Sequence, residues 1–124
     1  MSARVLLVDD EPDILFTASL ALRLAGYEVL EAAGGRAALE KLASDRPDAL
    51  VLDLRMPEID GWEVLDRIRT DETIPGLPVV VLSAHASGHA EERARQQGAT
   101  AYITKPFDPQ HLVRELGKAL GSDA

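Results

Sequence analysis

Three runs in this sequence are apolar with no alternation: Val5-Leu6-Leu7-Val8, Ala49-Leu50-Val51-Leu52 and Val79-Val80-Val81-Leu82. A strand with one wet face alternates apolar and polar residues. A run with no polar position belongs to a strand buried on both faces. Tyr27–Ala32 and Ala101–Thr104 read as two shorter strands. The stretches between these runs carry the 3.6-residue period of helices, so strands and helices alternate. That alternation predicts an α/β fold, a doubly wound parallel sheet with helices on both faces.

The first helix is expected from Pro12 to about Ala25, with proline at a position where a missing N–H costs nothing. Ile14, Ala18, Ala21, Leu22 and Ala25 form its core stripe, and Gly26 stops it. Phe16, Leu20 and Leu24 repeat every four residues on the opposite face, either as scattered surface apolarity or as a docking patch. A second helix over 35–44 uses Ala38, Leu39 and Leu42 and is closed by Pro47. A third runs from the Asp60-Gly61 turn to about Thr70 with Trp62, Val64, Leu65 and Ile68 inward. Trp62 is read as a packing residue. The fourth, over 86–97, offers only Ala86, Ala90 and Ala94 and is expected to be weakly held. Asp108 caps the fifth, Pro109 begins it, and Leu112, Val113, Leu116, Ala119 and Leu120 form its stripe.

At 124 residues the chain is expected to be one domain, 1–124, with a real core. It has no cysteine, so disulfide frameworks and thiolate metal sites are excluded. No apolar run is long enough to span a membrane and the start lacks the layout of a signal peptide, so a cytoplasmic location is expected. The net charge of −8 argues against nucleic-acid binding by this domain itself. Residues 1–84 hold 16 acids against 8 bases, whereas residues 85–124 hold 5 of each, so the acidity sits in the first two-thirds. Gly34-Gly35 does not make a dinucleotide-binding pattern.

The chemistry lies where the strands stop. In an open parallel sheet, ligands bind beyond the carboxyl ends of the strands. Right-handed crossovers bring those ends to one edge. Strands one, three, four and five finish there in Asp9 and Asp10, Asp53, Ser83 and Lys105. The run Asp9-Asp10-Glu11 places three like charges together, so its members either fan out into water or surround a cation. Clustered carboxylates without histidine or cysteine favour a hard, oxygen-bound cation, and Mg²⁺ fits best. An aspartate can act as nucleophile toward phosphorus, and a cation, a lysine and a hydroxyl can neutralise phosphoryl oxygens. The site reads as a phosphoacceptor centred on Asp53.

The ordered set Val8-Asp9-Asp10, Asp53-x-x-Met56-Pro57-x-x-Asp60-Gly61, Ser83-Ala84 and Lys105-Pro106-Phe107 resembles the receiver domain of response regulators, the phosphoacceptor module of two-component signalling. The resemblance covers essentially the whole chain. It implies a flavodoxin-like sheet in strand order 2-1-3-4-5, like that of chemotaxis regulators. It implies that Asp53 takes phosphate from a phosphohistidine of a sensor histidine kinase or phosphotransfer protein. Asp10, Asp53 and the backbone carbonyl of Arg55 would hold Mg²⁺ directly, and Asp9 largely through water. Ser83 would turn toward the phosphoryl group, Lys105 would pair with it, and Tyr102 would change rotamer as the switch aromatic. The bond between Lys105 and Pro106 would be cis. A downstream target or output domain would read the surface of the fourth helix, fifth strand and fifth helix. Arg55 and His85 fall at positions that tune phosphate lifetime. Phe16, Leu20 and Leu24 lie beside the place where kinases dock.

Two competing readings remain. An aspartate-nucleophile phosphatase usually carries a second acid two residues after the nucleophile, and this chain has Arg55 there. A receiver used only for protein contacts would not need the full set of phosphorylation residues, which is present.

Overall fold

The computed structural model of the protein describes residues 2–84 and 88–121. Five strands and five helices alternate: β1 (Arg4–Val8), α1 (Pro12–Leu24), β2 (Glu28–Ala32), α2 (Gly35–Asp45), β3 (Ala49–Asp53), α3 (Gly61–Thr70), β4 (Val79–Ser83), α4 (Gly88–Gln96), β5 (Ala101–Thr104) and α5 (Pro109–Ala119). All strand pairings are parallel, and the sheet order is β2-β1-β3-β4-β5. The chain turns one way from β1 to β2 and the other way to β3. The switch point therefore lies between β1 and β3.

Burial follows the two-residue period of a strand. Val5, Leu7, Val51, Val80, Leu82 and Ile103 pack with Ala18 and Leu22 of α1 and Leu112 and Leu116 of α5. Leu6, Val8, Leu50, Leu52, Val79 and Val81 pack on the other face with α2, α3 and the lone buried residue of α4, Ala94. Every residue of β3 and β4 is buried. The apolar runs thus leave no polar position in the interior of β1, β3 and β4, and the ends of these strands carry the polar groups.

Local signals set the helix ends. Gly26, at φ +99, lets Tyr27 N–H reach Leu22 O and Gly26 N–H reach Arg23 O, which closes α1. Arg46 adopts a left-handed conformation (φ 45) after α2, ahead of Pro47, which disfavours the helical region for its predecessor. Asp60 and Asp108 cap α3 and α5, accepting from Glu63 N–H and Gln110 N–H.

Two expectations change. Helix α1 ends at Leu24, so Ala25 is its exposed cap rather than part of the core stripe. Ser19 is buried instead, its hydroxyl accepting from Arg23 Nε at 3.1 Å. On α4, Ala90 is only partly buried, and Ala86 lies outside the described residues. What supplements α4 is a contact with α3. The Arg93 guanidinium lies 3.9 Å from the centroid of the half-buried Trp62 ring.

Candidate functional site

Strand register builds the site. Val8 is paired with Leu52, so the next step sets Asp9 beside Asp53 at the switch point. Asp9 and Asp53 continue the residue sets that face α1 and α5, and both are buried, at 0% and 3% exposure. Asp53 lies opposite Leu82, and Ser83, also buried, is the last residue of β4. Ser83 pairs with Thr104, and the Lys105 N–H donates to Ser83 O at 2.7 Å. The bond between Lys105 and Pro106 is cis, as the resemblance implied.

Glycine is required at position 61. A Cβ there would collide with the Asp53 carbonyl oxygen and come within 2.6 Å of Leu54 Cα. The glycine lets the start of α3 press against the backbone at the end of β3. Glu58 in the intervening loop takes a left-handed conformation, φ 66.

Lys105 crosses from the end of β5 into this cluster. Its Nζ lies 2.7 Å from Asp9 Oδ2, 3.1 Å from Glu11 Oε1 and 3.4 Å from Asp53 Oδ1. Asp10 is exposed on the rim, yet one oxygen from each of Asp9, Asp10 and Asp53 falls within a 4.8 Å group. Within the acidic run, Asp10 is exposed yet stays grouped with Asp9, while Asp9 and Glu11 share the Lys105 ammonium. Asp9 Oδ1 accepts from Glu11 N–H, and Asp53 Oδ1 accepts from Arg55 N–H at 3.3 Å. Beside them, Asp10, Arg55, Met56, Pro57, Asp60 and Trp62 line an open cleft of about 560 Å³.

One ammonium does not balance these carboxylates. Burial pushes the Asp9 carboxyl up, opposed by Lys105. Burial, with the Asp9 charge adding, raises Asp53 to about 6 despite the pull of Lys105. Burial alone would lower Lys105, but its contacts with Asp9, Asp53 and Glu11 hold it above its ordinary value. Asp9 Oδ2 is buried, and its close contact with Lys105 lacks the angles of a hydrogen bond, so it accepts none. An all-carboxylate donor set short of positive charge, whose buried Asp9 Oδ2 has an ion pair but no hydrogen bond, fits a hard divalent cation.

The other predicted residues lie around this centre. Tyr102 is half-buried on β5, opposite Val81, and packs on the side of the sheet covered by α3 and α4. The Arg55 side chain is exposed at the cleft. His85 lies outside the described residues. Phe16, Leu20 and Leu24 are exposed at 72%, 49% and 80%, away from the sheet. Two contacts had no local sequence signal: Glu11 with Lys105, and Arg93 with Trp62.

The fold and site define a class: a doubly wound sheet with an acidic, lysine-containing pocket at its switch point. A family model described as the response regulator receiver domain matches residues 5–117, and the chain belongs to that family. It is 42% identical over 119 residues to the transcriptional regulatory protein PrrA of Mycobacterium tuberculosis, covering 96% of this chain and 50% of PrrA. It is 38% identical over 122 residues to GlrR, a transcriptional regulatory protein of Escherichia coli, covering 98% of this chain and 27% of GlrR. The chain thus spans half or less of the length of these relatives. Among solved structures, the chemotaxis response regulator CheY4 of Vibrio cholerae superposes with TM-score 0.90 at 34% identity, covering 96% of this chain and 99% of CheY4. A CheY-like receiver domain protein of Methanospirillum hungatei gives 0.89 at 28% identity, covering 99% and 97%. The chain is a receiver domain of the two-component response-regulator type. Among the described residues no helix is long and apolar enough to cross a membrane.

The raised Asp53 value has a consequence for stability. Its folded-state value lies above the ordinary 3.8, so the folded protein holds a proton that the unfolded chain releases between the two. Ionised Asp53 therefore subtracts stability above about pH 6, and the loss is relieved as pH falls toward 3.8. With divalent cations chelated, Asp53→Asn should be more stable than wild type at about pH 7.5, by on the order of 2 kcal/mol. The gap should shrink on acidification through about 6. Urea unfolding across this range measures it, and a pH-independent gap would contradict the assignment.

Proposed function

We propose that the chain, as one receiver unit over 1–124, is a Mg²⁺-dependent phosphoacceptor for a sensor histidine kinase or phosphotransfer protein. The observation that carries this reading is the buried Asp53 carboxylate with Lys105 Nζ 3.4 Å away and two further carboxylates grouped beside it. An Asp53 oxygen attacks the phosphorus of a phosphohistidine. A P–O bond forms, the P–N bond breaks, and its electron pair returns to the imidazole nitrogen, which is then protonated from solvent. Lys105 pairs with the phosphoryl oxygens and Ser83 donates its hydroxyl to them. Asp10 and Asp53, with the Arg55 backbone carbonyl, would hold Mg²⁺ directly and Asp9 through water; the cation would neutralise charge on the phosphoryl oxygens.

The group is written on and erased, so the chain assists its own phosphorylation and loss rather than turning over an external substrate. Ser83 and Tyr102 carry the change to the surface of α4, β5 and α5, which a downstream target or output domain reads. Arg55 stands where a phosphatase would carry its general acid. The setting is cytoplasmic, with no direct nucleic-acid contact by this domain. The exposed Phe16, Leu20 and Leu24 stripe is the docking surface for the kinase, an apolar face on the helix that follows Asp10.

Acetyl phosphate should label the wild-type chain on one aspartate, and Asp53→Asn should remove that label with kinase and small donor alike. Stoichiometric labelling of the variant would overturn the reading. The Arg55 side chain at the cleft screens the acyl phosphate from water, so Arg55→Ala should shorten its lifetime by about two- to fivefold. A lifetime equal to wild type would discard that role. Leu20→Glu should slow transfer from the cognate kinase while leaving acetyl phosphate labelling intact, and equal losses in both would count against docking.

A further inference from the structure

Three carboxylates contact the Lys105 ammonium, and they do not hold it alike. Asp9 and Asp53 meet it as ion pairs, at 2.7 and 3.4 Å. Glu11 meets it at 3.1 Å with the angles of a hydrogen bond. Their places differ as well. Asp9 and Asp53 are buried, whereas the Glu11 side chain is 60% exposed at the rim.

Glu11 is also the residue that precedes α1 as its N-cap. A side chain there ordinarily folds back to accept a free N–H of the first turn. Glu11 makes no such bond. Its backbone N–H is instead tied to Asp9 Oδ1 at 2.9 Å, and its carboxylate is committed to Lys105, 94 positions away.

We propose that Glu11 is a positioning residue for phosphoryl transfer: it shares the Lys105 ammonium with Asp9 and Asp53, so that Lys105 must give up its Glu11 contact to pair with an incoming phosphoryl group. This rests on the reading of Asp53 as the acceptor. Glu11 acts through Lys105 and touches no reacting atom. Because the Glu11 side chain is 60% exposed and its charge is screened by solvent, its effect on rate is modest, about two- to fivefold.

The full chain, with saturating Mg²⁺ and acetyl phosphate, provides the test. Glu11→Gln should label Asp53 about two- to fivefold faster than wild type. In a Lys105→Ala background the same substitution should change nothing. Asp13→Asn, which removes an equally exposed charge in the first turn of α1, should leave the rate at the wild-type value. A second readout needs neither cation nor phosphate. The Lys105 ammonium resonance in ¹⁵N NMR of the metal-free protein should shift or broaden in Glu11→Gln while the fold is retained. An unchanged rate, an equal acceleration without Lys105, or an unmoved resonance would each overturn the proposal. If wild type itself takes no label on Asp53, the acceptor reading fails along with it. If wild type labels and Glu11→Gln behaves identically, only the role of Glu11 falls.

Discussion

A sheet sealed between two layers of helices is the constraint on which the rest depends. Inside it, an unpaired polar group would cost more than the fold can supply, so β3 and β4 are buried along their whole length. Polar function is driven to the strand ends. Parallel pairing then makes those ends coincide, because each strand presents its carboxyl terminus to the same edge. The reversal of direction between β1 and β3 opens the crevice there, and Asp9 and Asp53 stand on its two sides. The site is thus a product of topology before it is a product of chemistry.

Bringing carboxylates together has an electrostatic cost that the chain meets only in part. Lys105 supplies one positive charge to Asp9, Glu11 and Asp53, and Asp53 is still held near 6. A deficit of positive charge remains at the strand ends, and the closely packed backbone at Gly61 fixes the end of β3 beside it.

Much of this was legible in the sequence, for physical reasons. Doubly buried strands cannot hide in a one-dimensional pattern, since a run such as Val79–Leu82 has few other uses. Asp9, Asp10, Asp53, Ser83 and Lys105 followed from asking what ends each run. What escaped notice were contacts made by residues whose local role looked ordinary. Ala25 fitted the apolar period of α1, but the helix had already ended at Leu24. Ser19 had no assigned place on α1, yet it is buried and its hydroxyl accepts from Arg23 Nε. Glu11 lies far from Lys105 in sequence, and only the folded edge places the two together. The weak packing of α4 was visible from its alanines, whereas the hold of Arg93 on Trp62 was not.

That last contact has an optical consequence. Trp62 is the chain's one tryptophan. Its side chain lines the cleft with Asp10 and Asp60, and its ring carries the α4 guanidinium of Arg93. Indole emission from this protein therefore arises at a single address, the seam between the acidic pocket and the least buried helix of the sheet's covering layers. The molecule carries its own lamp where the cleft meets α4.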